Sequence, residues 1–294
     1  LELVNQEVQE MMVVPSTYED TIRHIEKIGR ICYQSEESIK EGSAEKFCSM
    51  LFNKGHNAMI EHSWAVLRFK DLEESGWYDY IFDLFHSPFM KFVNADDCVY
   101  VCGNWRAFIE CLNEDKNLDF FKGMPFSILN YLPQGDELNV DILLDDEIPE
   151  NLRAFTVVLK TGRDVTHELV RHRPASFAQE SQRYCAYRKD VEFIIPYFYQ
   201  DIDYFTPFSR RVKKKIIFNM WKTYLWITEK FYKFLLSSGE KPQEARSVLP
   251  NCTATQIAIT ADVPEWKHIF KLRTSPAAYP QIRNLMRKVE DWLF

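Results

Sequence analysis

No stretch of this 294-residue sequence is apolar for long enough to cross a bilayer as a helix, which argues against a membrane role. The opening LELVNQEVQE lacks the basic and apolar segments of a secretory signal, so the cytoplasm is the expected location. Leu1 stands where an initiator methionine would, consistent with a start that has been trimmed. Positive charge is in deficit. With 36 Lys and Arg against 43 Asp and Glu, the formal net charge is −7, and a chain so charged repels a polyanion. Nucleic acid is therefore not the expected partner, and any nucleotide must sit in a local basic pocket, which points to a small anionic ligand. Paired cysteines are missing too. Cys32, Cys48, Cys98, Cys102, Cys111, Cys185 and Cys252 are scattered, and the Cys98–Cys102 spacing has neither a second pair nor a nearby histidine to complete a metal set. Reduced thiols and no metal are expected.

What is present is globular. Apolar residues make up 46 %, charged residues 27 % and aromatics 15 % of the chain, which argues against disorder. The length is near the upper end of what one core organises, and a single domain spanning 1–294 is the expectation. Ile22, Ile25, Ile28 and Cys32 recur at helical spacing, SAEKFCSMLFNKG reads as a second helix, and SWAVLRFK alternates as a half-buried strand. Residues 71–150 read as an insertion, in which CVYVCGNWRAFIECL suggests strand, turn and helix, and Asp145, Asp146 and Glu147 a solvated acidic loop. RAFTVVLKTG is a buried strand, followed by a helix over DVTHELVRHR with Asp164 as N-cap. Pro174 stops that helix at Arg173, and PASFAQESQRY leaves as a loop. Ser209 to Ser238 form one long amphipathic helix closed by Gly239. KPQEARSVLP is a short helix, ATQIAITAD a strand, PEWKHIFKLR a helix opened by Pro264, and 276–294 a closing helix. The phrases VCGNWRAF and ITADVPEWKHIF are weakly alike.

The chemistry concentrates in VRHRPASFAQESQRY (170–184). On a helix, Glu168 and Arg171 share a face, so a carboxylate could orient the guanidinium. Arg173, Ser176, Gln179, Ser181 and Arg183 could then surround a group carrying both a phosphate and amide edges, since the arginine fork binds phosphate oxygens bidentately. The plainer alternative is that His167, Arg171 and Arg173 only complement the helix dipole, which leaves the following serines, glutamine and second arginine unexplained. A nucleophilic Ser181 served by His172 lacks the G-x-S-x-G elbow, and Cys185 beside Tyr184 and Tyr187 reads as a packed thiol.

RHRPASFAQES followed by Gln-Arg-Tyr resembles the signature of the flavin-dependent thymidylate synthases, and ICYQS (31–35), KGHNAMIEHS (54–63), THELVRHR (166–173), EARSVLP (244–250) and HIFKLR (268–273) resemble further family segments in the family's order. The resemblance implies an α/β (α+β) fold with a central, mostly antiparallel sheet flanked by long helices, interrupted here by the insertion. It implies reductive methylation of deoxyuridylate (dUMP) to thymidylate, with methylenetetrahydrofolate and NADPH as co-substrates, FAD as cofactor, and no obligatory cysteine nucleophile. Active sites would lie between subunits of a homotetramer. Carried over by position, Glu168, Arg171, Gln179, Ser181, Arg183, Arg246 and Arg273 would bind the nucleotide, with Ser181 and Arg273 at the chemistry and Arg273 polarising the uracil. Ser35, His56, Glu61, Arg171, His172, Arg173 and His268 would meet the flavin.

The sequence also departs from that pattern. An expected Asn-x-Arg reads Asp262-Val263-Pro264, which should weaken the hold on a diphosphate, and the insertion carries Asn104 and Arg106 as possible replacements. A family histidine is Ala277 here. Two other readings stay open: a nucleotide-binding protein that no longer holds flavin, and nucleic-acid binding through RRVKKK (210–215), against which the acidity of the chain weighs.

Overall fold

The computed structural model describes residues 1–72, 76–112, 118–133, 138–200 and 208–294; parts of the expected insertion, 73–75, 113–117 and 134–137, lie outside the described residues. In chain order the strands are β1 (Glu2–Val4), β2 (Glu7–Val13), β3 (Ala65–Lys70), β4 (Met90–Asn94), β5 (Cys98–Gly103), β6 (Asn139–Leu143), β7 (Ala154–Gly162), β8 (Ser176–Gln179), β9 (Glu192–Ile194) and β10 (Ala254–Asp262). The α-helices are α1 (Tyr18–Ile31), α2 (Ser43–Asn53), α3 (Tyr78–Leu84), α4 (Trp105–Leu112), α5 (Leu118–Lys122), α6 (Arg163–Leu169), α7 (Tyr197–Gln200), α8 (Phe208–Ser237), α9 (Pro242–Ala245), α10 (Val263–Arg273) and α11 (Pro280–Leu293).

Where one central sheet was expected, the strands form two four-stranded antiparallel sheets, β2-β7-β10-β8 and β4-β5-β3-β6, with β1 and β9 as a separate parallel pair. The reason lies in β3. Both of its edges are taken by strands that follow it in the chain, β5 on one side and β6 on the other, so it cannot extend the sheet of β7 and β10. Segment 71–150 thus contributes β4, β5 and β6 to a sheet built around β3, a strand that precedes it.

β7 and β10 pair along their whole length and are buried on both faces, which is why their sequences run apolar instead of alternating with charge. Val157, Leu159, Ile257 and Ile259 face Trp266, Phe270, Ile282, Leu285 and Met286 of α10 and α11. On the opposite face, Val158, Ala178 and Ala258 pack against Ile28 and Ile31 of α1. The same helix turns Ile22 and Ile25 into the aromatic core under the sheet of β3, with Phe69, Phe85, Phe108 and Phe121. α1 therefore packs on both sheets.

A polar chain crosses this junction. His24 of α1 bonds Thr156 of β7 at 2.9 Å, Thr156 bonds Thr260 of β10 at 2.6 Å, and Thr260 bonds His62 Nδ1 at 2.6 Å. Both histidines are buried, and burial lowers their pKa values to about 4 for His24 and about 3 for His62. The acidic run is not simply solvated: Asp145 accepts hydrogen bonds from the backbone and hydroxyl of Ser16. No described helix is long and apolar enough to cross a membrane.

Candidate active site

β7 delivers the chain into α6, which begins two residues earlier than the sequence suggested, with Gly162 as N-cap in place of Asp164. The strand continues through Gly162, and a Cβ there would lie 2.3 Å from the Asp164 carboxylate. The helix ends at Leu169, so Arg171 does not share a helical face with Glu168: it lies in a turn. Pro174 cannot donate a helical hydrogen bond, and from Ser176 the chain is recruited as β8 against β10, where a loop was expected. Residues 170–175 are consequently a tight connection that points its side chains to several sides.

On one side, Arg273 at the end of α10 reaches back to this turn. Its Nε donates to His172 Nε2 at 2.9 Å, its Nη1 to Glu168 Oε2 at 2.5 Å, and its Nη2 to the Glu168 carbonyl at 2.9 Å. Burial first, then the charge of Arg273, lowers the His172 pKa to about 4, so the imidazole is neutral at pH 7 and accepts at Nε2. His268 stands 6.0 Å away, ring to ring. His172, Glu265 and His268 present ligand atoms within 4.8 Å of one another. A cation there would meet the Arg273 guanidinium, which already occupies His172 Nε2, so the cluster suits hydrogen bonding better than metal ligation.

On another side opens a cleft of about 380 Å³ between the two sheets, lined by Glu61, Lys91, Asn104, Arg106, Arg173 and Asp262 among others. Its walls are built alike. Asn104 follows β5 and accepts from the Ala107 N–H at 2.9 Å to open α4; Asp262 ends β10 and accepts from the Glu265 N–H at 3.0 Å to open α10. The weak likeness of VCGNWRAF and ITADVPEWKHIF thus corresponds to two caps at the same offset on opposite walls. Arg106 bonds Glu61 at 2.6 Å and Glu110 at 2.7 Å, Ser176 donates to Glu61 at 3.2 Å, and Lys91 forms an ion pair with Asp262.

Gln179 sits on β8 and donates to Thr166 at 3.0 Å. Ser181 is held by its backbone bond to the Cys32 carbonyl at 2.9 Å, and its hydroxyl accepts from the Arg183 N–H at 3.3 Å. Arg183 lies over the Tyr184 ring. Ser35, His56, Arg171 and Arg246 are not joined to either group by a side-chain hydrogen bond or ion pair among the described residues, and His56, Arg171, Arg183 and Arg246 are exposed.

The family described as "Thymidylate synthase complementing protein" matches residues 149–293, the segment that carries β7, α6, β8, β10 and α10. Over that segment the chain resembles the flavin-dependent thymidylate synthases. The flavin-dependent thymidylate synthase of Pyrococcus abyssi is 35 % identical over 132 residues, 44 % of this chain and 49 % of that protein. That of Corynebacterium aurimucosum is 29 % identical over 143 residues, 48 % of this chain and 57 % of its own. The chain spans about half the length of the curated relatives it matches. Among solved structures, the UMP/dUMP methylase PolB of Streptomyces cacaoi covers 99 % of this chain and 90 % of its own at 14 % identity, with a TM-score of 0.43, too loose a superposition to build on.

The family match begins at residue 149, so the cleft wall that carries Lys91, Asn104 and Arg106 falls outside it. Sequence reasoning reached Asn104 and Arg106 through their likeness to an Asn-x-Arg pattern. It missed Lys91, because MKFVN shows only that Lys91 can point away from the core, not which wall it faces.

Proposed function

We propose that this protein is a flavin-dependent thymidylate synthase, which methylates dUMP to thymidylate with methylenetetrahydrofolate as carbon donor and NADPH as reductant. The observation that carries this reading is the contact of Arg273 with Glu168 and His172, about a hundred residues away: the resemblance assigns Arg273 and Glu168 to the nucleotide and His172 to the flavin, so the contact brings the two ligand sets together. The Glu168 carboxylate fixes the guanidinium, and neutral His172 holds its Nε edge. A fixed cation of this kind stabilises enolate-like charge developing on a uracil ring. Gln179 and Ser181 would contact the base and its sugar phosphate, and Arg171, Arg183 and Arg246 would supply exposed guanidinium groups for the phosphate.

The cleft between the sheets fits the diphosphate of FAD: Arg106, Arg173 and Lys91 supply positive charge and Asn104 an amide. Glu61, His172, Arg173 and His268 would contact the cofactor, and the resemblance adds Ser35 and His56 to that set. Bound flavin would supply the redox chemistry, while the protein orients and polarises.

The visible spectrum of the purified protein tests this directly. Added FAD should bind, and its bands should shift when dUMP follows; Arg106→Ala should weaken FAD binding. Binding of dUMP by a protein that takes up no FAD would favour a non-catalytic nucleotide-binding relative instead.

The exposed charges also favour a shared site in a homotetramer. On α8, Ile217, Met220, Tyr224, Ile227, Phe231 and Phe234 are 42–68 % exposed and alternate at spacings of three and four, the a/d seam of a helix that packs on another helix. Met220→Glu combined with Ile227→Glu should lower the mass measured by light scattering, and an unchanged mass would rule out this seam as the interface.

A further inference from the structure

We propose that Lys91, on strand β4, is a cofactor-binding residue that contacts the diphosphate of FAD in the cleft. The inference rests on the flavin reading above and adds to it a residue outside the family segment.

Asp262 places a negative charge in the cleft wall. Its carboxylate is 4 % exposed and lines a cleft otherwise suited to an anion, which would be repelled there. It cannot swing away, because Oδ1 caps α10 by accepting from the Glu265 N–H. The other oxygen is ion-paired with Lys91, whose side chain is 31 % exposed, so the ammonium is the solvent-facing member of the pair. An ammonium has three N–H donors; with one on Asp262, the others can serve phosphate oxygens in the cleft.

The remaining charges agree with this assignment. Arg106 is committed to Glu61 and Glu110, whereas Arg173 has no side-chain hydrogen bond or ion pair among the described residues. Lys91 and Arg173 are then the two cations best able to turn toward an incoming diphosphate, one from strand β4 and one from the turn that leads into β8. The wall that lost an Asn-x-Arg pattern at Asp262 and Pro264 is compensated from the opposite wall.

The test is a cycle of four proteins, wild type, Lys91→Ala, Asp262→Asn and the double variant, with FAD affinity read from quenching of flavin fluorescence. Lys91→Ala should weaken FAD at least tenfold, and Lys91→Arg should restore most of the loss. Asp262→Asn keeps a capping side chain while removing the repelling charge, so it should tighten FAD. The double variant, which leaves no unpaired buried carboxylate to endanger folding, should still bind FAD more weakly than Asp262→Asn alone. Equal affinity of those two would overturn the proposal and reduce Lys91 to a neutraliser of Asp262. So would wild-type affinity in Lys91→Ala. Failure of the wild-type protein to bind FAD would instead bring down the flavin reading, and this inference with it.

Discussion

Lowering the pH from 7 to 4 is expected to unfold this protein, with most of the loss below pH 6.5. His24 and His62 have folded-state pKa values of about 4 and about 3, against 6.5 for an unhindered histidine. Their folded pKa values are depressed, so the stabilisation is complete above pH 6.5 and is lost as protons bind the unfolded chain in preference to the folded one. Each group then removes roughly 1.4 kcal/mol per pH unit until its folded pKa is reached. Both histidines act in the same direction, against a total stability of about 5–15 kcal/mol for an ordinary domain. Urea unfolding followed by circular dichroism at pH 7, 6, 5 and 4 measures this. His62→Gln, which can still bond Thr260, should flatten the dependence even if it is less stable at pH 7. An unfolding midpoint independent of pH down to 5 would show that neither histidine is held neutral by the fold.

The second large effect is expected at Arg273. Arg273→Ala removes three hydrogen bonds that tie α10 to Glu168 and His172, together with the cation proposed to polarise uracil. On the proposed function, thymidylate formation should fall about 100- to 1000-fold, the usual cost of removing a fixed group that stabilises developing charge. Arg273→Lys should recover little, because an ammonium cannot hold Glu168 and His172 in a planar fork at once. A kcat within tenfold of wild type for Arg273→Ala would remove Arg273 from the chemistry. The His172 imidazole, relieved of a neighbouring positive charge, should titrate at higher pH in the variant, which nuclear magnetic resonance can read separately from turnover.

The elements of the fold were more legible than their arrangement. Ile22, Ile25 and Ile28 mark α1, and the unbroken apolar runs of β7 and β10 mark strands covered on both faces, because periodicity and burial are local signals. That β3 would take later strands on both edges was not legible, since an alternating pattern says which face is buried but not which strand lies alongside. The same limit applies at the candidate site. Glu168 and Arg273 were singled out by resemblance, yet their mutual contact depends on α10 packing behind the sheet. Arg171 was placed on a helix that stops two residues short of it, because the pairing of β8 with β10 outweighs the helical spacing of the preceding residues. Lys91 gave no signal at all, as its significance comes only from facing Asp262 across the cleft.

The two caps that face each other there belong to different sheets, Asn104 to that of β3 and Asp262 to the other. Any ligand that touches both walls binds only when the sheets are correctly seated. Its binding free energy then becomes cohesion between two halves of the molecule, growing with ligand concentration as RT ln(1 + [L]/Kd). In this chain the cleft is a seam between the two sheets that an occupant would fasten further, so occupancy should protect backbone amides on both sheets from hydrogen exchange, including strands far from the ligand itself.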